Sequence, residues 1–298
     1  MADGLSFERD GADWPHASAS RFVDAAGLRW HVQIMGEGPE VLLVHGTGAS
    51  THSWRGLAPL IASDFRVVMI DLPGHGFSTM PANGSESMSL PGMARALAGL
   101  LAELSMSPHL VVGHSAGAAV LCRMALDALI APKVIVSLNG ALLPFRGAVS
   151  QFFSPLAKML ALNPLVPRFF AWSASGGGPV ERLIRDTGSD IGPEGIELYG
   201  RLFRNRGHVS AALAMMANWD LKPLEADLAR LEPALVLVIG SNDRSISPDD
   251  AFRVKALARD AEVEMLRGLG HLAHEERPDL IAALIRRTAT KHLTPTAT

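Results

Sequence analysis

The sequence predicts an α/β protein: a mostly parallel central sheet with helices on both faces and a helical cap insertion. Three observations carry this. Short continuous apolar runs recur at 41–44, 66–70, 110–112, 133–138 and 235–239, as strands covered on both faces should read. Helix-like stretches separate them, which is the pattern of a parallel sheet with crossover helices. The alternation stops between 141 and about 225 and then resumes, so the core is expected to be 1–140 and 226–298, with 141–225 inserted as a cap.

Composition bounds the rest. The chain has 298 residues, of which 48% are hydrophobic and 19% charged, enough to bury a large core. A net charge of −3 with scattered arginines and lysines argues against nucleic-acid binding. Cys122 is the only cysteine, which rules out an internal disulfide, and its apolar neighbours make it a small core residue. The first residues show no basic-then-apolar leader, so the expected location is the cytoplasm. The apolar stretch 152–172 approaches the length of a membrane span of about 20 residues. It is interrupted by Pro155, Lys158, Asn163, Pro164, Pro167 and Arg168, so no transmembrane segment is expected, though the stretch admits loose association with a membrane surface.

Taken in order, residues 1 to about 20 read as an irregular lead-in, with Trp14-Pro15 as a turn. The run 28–34 alternates apolar and polar residues, as a half-exposed strand does. After the buried run 41–44 come a helix over 53–61 and the strand 66–70. Residues 81–89 are polar and read as a flexible connection, and 90–104, rich in Ala, Leu and Met, as a helix on the sheet. A helix over 116–129 follows the strand beginning at 110, and 133–138 is the next strand. Beyond the insertion, 235–239 is a strand, 248–259 a helix, 261–266 a strand, 278–287 the closing helix and 291–298 a frayed polar tail.

The chemistry centres on Gly113-His114-Ser115-Ala116-Gly117. A G-x-S-x-G between strand and helix is a sharp, strained turn; its glycines leave room and its serine Oγ stands clear of the sheet. The next N–H, that of Ala116, points to where an oxyanion would develop. The loop His45-Gly46-Thr47-Gly48, after another central strand, offers the Thr47 N–H as the second donor. Serine needs a base, and the base an orienting carboxylate. Ser115, Asp243 and His271 each follow an apolar strand, where an open α/β sheet gathers its functional loops. Ser115 is thus the expected nucleophile, His271 the base and Asp243 the orienting acid.

Rivals exist. His274 competes with His271, which is favoured because it directly follows Gly270 in the turn; Asp249 and Asp250 sit at a helix start, where capping explains them. His75, in Asp71-Leu72-Pro73-Gly74-His75-Gly76-Phe77-Ser78, reads as structural or as pocket rim. His114 should point away from Ser115, yet is close enough to count among pocket residues. From the insertion, Phe145, Phe152, Phe153 and Met159 are pocket candidates, as are Met215, Met216 and Trp219, all pointing to an apolar small-molecule substrate. No His/Asp/Glu/Cys cluster has metal-ligand spacing and no G-x-G-x-x-G loop follows a strand, so no metal or cofactor is expected.

Together, H-G-T-G at 45–48, D-L-P-G-H-G-F-S at 71–78, G-H-S-A-G at 113–117, G-S-N-D at 240–243 and G-H-L-A-H-E at 270–275 resemble the α/β-hydrolase superfamily over nearly the whole chain. That resemblance implies an α/β-hydrolase fold and, with serine rather than aspartate at the turn, esterase-like, lipase-like, C–C hydrolase or perhydrolase chemistry. The stretches 13–23, 28–33, 45–55 and 138–145 further resemble the magnesium-chelatase accessory proteins of bacteriochlorophyll biosynthesis. This narrower resemblance implies a role in photosynthetic pigment synthesis, a tetrapyrrole ester as substrate, and magnesium-chelatase subunits as partners. Two functions remain open: a serine hydrolase, or a non-catalytic porphyrin-binding accessory or chaperone of the chelatase.

Overall fold

The computed structural model describes residues 5–82, 84–144 and 178–294. Its eight strands are β1 (Ser20–Ala25), β2 (Leu28–Met35), β3 (Glu40–Val44), β4 (Arg66–Ile70), β5 (Leu110–His114), β6 (Val134–Leu138), β7 (Ala234–Gly240) and β8 (Ala261–Leu266). They form one sheet in the order β1-β2-β4-β3-β5-β6-β7-β8. The pairs β1–β2 and β2–β4 are antiparallel, and every other neighbouring pair is parallel.

The period of two divides each central strand between two cores. From β3, Leu42 and Val44 join a core that also holds Val68, Val111, Ile135 and Leu235. Val41 and Leu43 point the other way, to Val67, Val112, Val136 and Val236. The first face is covered by α1 (Leu90–Glu103) and α2 (Ala116–Leu126), the second by the segment around Trp54–Ile61 and the C-terminal helix. Ser89 caps α1 by accepting from the Gly92 N–H at 3.2 Å. Cys122 is fully buried in the first core, and burial pushes its thiol up to about 12.

Between β6 and β7 the described residues form α3 (Gly178–Asp186), α4 (Gly192–Phe203), α5 (Arg206–Ala217) and a shorter helix, Lys222–Asp227. After β7 come α6 (Pro248–Leu257), a single helical turn at Ala273–Glu276, and α7 (Pro278–Leu293). Ala211 and Met215 of α5 join the first sheet-face core, so this helix packs directly on the α/β unit. No helix among the described residues is long and apolar enough to cross a membrane; the stretch 152–172 lies outside them.

Several expectations need correction. β2 is not half-exposed: His31 and Gln33 are as buried as their apolar neighbours. The lead-in explains it, because it covers that face. Phe7 packs on the His31 ring at 5.5 Å, and Gln33 Nε2 donates to the Pro15 carbonyl at 2.7 Å. The lead-in itself contains a helical turn at Phe7–Asp10, and β1, absent from the sequence reading, pairs along β2 as an edge strand. The helix expected over 53–61 is two pieces, Thr51–Trp54 and Ala58–Ile61, and the connection 81–89 contains a helical turn, Gly84–Ser87. The closing helix runs on to Leu293, so the tail is helical further than predicted.

Candidate active site

Ser115 sits at the junction of β5 and α2 with φ of +50° and ψ of −117°, a strained conformation for a side-chain-bearing residue. The backbones close tightly around it. A Cβ on Gly117 would come 2.2 Å from the Val44 carbonyl oxygen, and one on Gly113 2.4 Å from the Ala118 nitrogen. Only glycine permits this approach, which explains the spacing of the motif. Strand β3, whose end Gly117 touches, brings the Thr47 loop alongside. Neither the Thr47 nor the Ala116 amide donates to an acceptor among the described residues, and both residues line the same cavity as Ser115.

Asp243 and His271 follow the adjacent strands β7 and β8. His271 Nδ1 lies 2.8 Å from Asp243 Oδ2. The carboxylate is fully engaged: Oδ2 also accepts from Asn139 Nδ2 at 2.7 Å, and Oδ1 accepts the amides of Ser245 and Ile246 at 2.8 and 2.9 Å. Four donors leave it one orientation. With Nδ1 donating to Asp243, Nε2 of the neutral ring is the atom left to take a proton. His271 lines the cavity with Ser115. Asn139 was not anticipated; its position at the end of β6, one strand from the serine, was the available signal.

A turn after α3 stitches the Asp243 and His271 loops together. The Thr187 carbonyl accepts from both the Arg244 amide, at 3.1 Å, and the His271 amide, at 3.4 Å. Ser189 Oγ accepts from the Leu272 amide at 2.9 Å, and the Gly188 carbonyl from Asn242 Nδ2 at 2.7 Å. Helix α5 does the same for the Thr47 loop. His208 Nε2 donates to the Gly48 carbonyl at 3.1 Å, while its Nδ1 accepts from the Gly76 amide at 3.1 Å. Two turns along the same helix face, Met215 Sδ accepts from Thr47 Oγ1 at 3.3 Å. Burial lowers the His208 pKa to about 4, so the ring is neutral, as those two bonds require.

The cavity over Ser115 is about 460 Å³, within the range of small-molecule sites. Its walls are largely apolar, with Leu183, Ile184, Phe203, Met216, Trp219 and Leu272 beside the polar centre. Met216 and Trp219 line this cavity; Phe145, Phe152, Phe153 and Met159 lie outside the described residues. Met215 does not line it, because its side chain is consumed in the contact with Thr47 beneath. Tyr199 and Phe203 of α4 were missed. The Tyr199 hydroxyl donates to Glu275 at 2.8 Å, and Arg55 pairs with the other Glu275 oxygen, tying α4 to the segment just past His271.

The rival histidines have other positions. His114 does line the cavity, with its ring 4.7 Å from that of His271. His274 is wholly buried between Trp54 and His114, and neither ring nitrogen has a partner among the described residues. Burial, then the neighbouring His271 and Arg55, lowers its pKa to about 3. His75 is also fully buried, packed between His45 and His208, and does not line the cavity. Asp249 and Asp250 occupy the first turn of α6, where Asp250 pairs with Arg253 at 2.6 Å.

A second Ser–His–Asp set occurs elsewhere. His31 Nδ1 lies 2.7 Å from Asp71 Oδ2, and His31 Nε2 2.9 Å from Ser20 Oγ. None of the three lines the cavity of Ser115. Burial would raise the Asp71 pKa, but the His31 charge and hydrogen bond, with the Phe77 amide, outweigh it and hold the carboxyl well below its usual range. Asp71 also accepts the Thr51 amide at 2.6 Å, so this set clamps three loops together.

Residues 41–284 match the model of the alpha/beta hydrolase family. The chain is 34% identical over 276 residues to the magnesium-chelatase 30 kDa subunit of Rhodobacter capsulatus, covering 92% of this chain and 95% of that protein. It is 30% identical over 205 residues to a pimeloyl-[acyl-carrier protein] methyl ester esterase of Aeromonas hydrophila, covering 57% of this chain and 80% of the esterase. Among solved structures, the epoxide hydrolase CorEH superimposes with a TM-score of 0.78 at 20% identity, over 91% of this chain and 98% of that one. A thermophilic esterase from Thermogutta terrifontis gives 0.73 at 21%, over 92% and 99%.

Proposed function

Because this chain belongs to the alpha/beta hydrolase family, we propose that it is a serine hydrolase of the carboxylic-ester type, working through Ser115, His271 and Asp243 on an apolar substrate. The carrying observation is the 2.8 Å contact between His271 Nδ1 and a fully bonded Asp243, on a ring that lines the cavity of the strained Ser115. In this reading Ser115 Oγ attacks the ester carbon while His271 Nε2 takes its proton. The Thr47 and Ala116 N–H groups receive the oxyanion, helped by the N-terminal dipole of α2. His271 then protonates the departing alcohol. In the second half it takes a proton from water, whose oxygen attacks the acyl carbon, and returns that proton to the Ser115 oxygen as the acyl–oxygen bond breaks. Residues 141–225 act as a cap over the core, 1–140 and 226–298, and the apolar wall from α3 to α5 supports an apolar substrate.

A finer reading places the substrate among tetrapyrrole esters of bacteriochlorophyll synthesis. Its support is the 34% identity with a protein named as a magnesium-chelatase subunit. The same observation favours a second reading, in which the chain holds a porphyrin for the chelatase without chemistry. A fluorophosphonate probe separates them. The hydrolase reading expects the parent protein to be labelled at Ser115, and Ser115→Ala and His271→Ala not to be. Folded parent protein that stays unlabelled, while its cavity admits a probe of the same size, would sink the hydrolase reading. Retained porphyrin and chelatase binding by that protein would then establish the accessory role.

A further inference from the structure

Among the described residues lining the cavity over Ser115, Arg244 is the one with a permanent charge; it also borders a neighbouring pocket lined by Glu181, Asp190 and Glu276. The placement is built in. Asp243 Oδ1 accepts the amides of Ser245 and Ile246, wrapping the turn around the carboxylate, and the Arg244 amide is fixed on the Thr187 carbonyl. Arg244 is therefore the outward apex of the turn that carries the acid. Its exposed side chain makes no hydrogen bond or ion pair with any described residue. Arg253, on α6 nearby in sequence, shows the contrast: it is paired with Asp250 and Glu225. Leu183 of α3, 49% exposed, lines the same cavity.

An apolar chamber with one unpaired guanidinium at its rim suits a particular chemistry. A wholly apolar ester would fill the walls and leave the cation to water. An ester whose apolar body carries a carboxylate at its far end satisfies both, since guanidinium and carboxylate match as a two-point, charge-assisted pair. We propose that Arg244 is a substrate-recognition residue and that the substrate of Ser115 is an amphiphilic ester bearing a free carboxylate. This rests on the hydrolase reading above for the ester and on the cavity alone for the carboxylate.

The test uses monomethyl adipate and methyl hexanoate, which share an apolar length and differ by the terminal carboxylate. Their binding to Ser115→Ala is measured by calorimetry, and their turnover by the parent protein by pH-stat. The carboxylate-bearing ester is expected to bind about tenfold more tightly, and kcat/KM to favour it by a similar ratio. Arg244→Ala should bring both ratios near unity, Arg244→Lys should keep part of them, and added salt should shrink them. No preference for the carboxylate, or one that survives Arg244→Ala, overturns the proposal. A preference in binding that depends on Arg244, with neither ester turned over and no probe adduct on Ser115, upholds the anion site and overturns the hydrolase reading instead.

Discussion

The His114 ring donates from Nε2 to the His271 carbonyl at 3.0 Å while the two rings lie 4.7 Å apart, so the residue before the proposed nucleophile supports the proposed base. Burial, followed by the nearby His274 and His271, holds the His114 pKa well below its ordinary value and keeps the ring neutral. His114→Ala is expected to cost about 1–3 kcal/mol, by leaving a buried carbonyl unpaired. It should also lower kcat more than it raises KM. Urea denaturation and steady-state kinetics on one variant check both.

Asn139→Ala removes one of the two donors to Asp243 Oδ2 and leaves the backbone pair on Oδ1 in place. The acid keeps its position and loses some of its rigidity. A kcat reduced about tenfold with little change in KM is the expected result, since orientation of the base matters most in the transition state. Asn139→Asp should do worse, because it sets a second carboxylate where the donor stood 2.7 Å from the first. Kinetics of the two variants side by side test the ordering.

Acid should loosen the fold through its buried histidines. The His208 pKa falls from 6.5 to about 4 on folding, so protons favour the unfolded chain. Its contribution is intact above about pH 6.5 and is lost on the way down to about pH 4, a change of about 3 kcal/mol. His208→Gln, which preserves a donor and an acceptor, should flatten stability across that interval in thermal melts.

His274→Phe removes two unpartnered ring nitrogens and keeps the packing between Trp54 and His114. It should match or exceed the parent in stability at low pH and keep its labelling by the fluorophosphonate. Loss of labelling as complete as in His271→Ala would make His274 the base.

The set around Asp71 should matter for stability alone. Asp71→Asn takes the buried carboxylate away from the His31 ring and from the Thr51 and Phe77 amides and is expected to destabilise by about 1–3 kcal/mol. Ser20→Ala should leave ester turnover intact. A residual fluorophosphonate adduct on Ser20 in the Ser115→Ala protein would contradict this.

Glycine tolerance should split sharply. Gly117→Ala forces a Cβ to 2.2 Å from a backbone oxygen, so little folded protein is expected. At Gly178, in the first turn of α3, a Cβ meets no described residue within 4 Å, and alanine should be neutral or mildly stabilising. Circular-dichroism melts of the two variants decide it.

The strands β3 to β7 were legible because each is an apolar run covered on both sides, and the Ser115 turn because its glycines answer a steric demand that spacing reveals. Legibility failed where a distant segment changed the environment. His31 and Gln33 look solvent-facing until the residues before Ser20 fold over them. Met215 has the composition of a pocket wall, yet its sulfur is turned to Thr47. Asn139 is marked only by its place at a strand end, and Arg244 by nothing local; their importance comes from what neighbouring strands and turns bring to them.

Helix α5 holds the Thr47–Gly48 loop at two points, through Met215 and His208. Raising that helix to admit a bulky guest would release both in a single movement. Under the proposed mechanism entry and reactivity would then be linked: with the helix raised, the loop carrying the Thr47 amide, the proposed oxyanion donor, loses its backing. A guest that lets the helix settle again would restore it, so fit would be rewarded in rate as well as in residence.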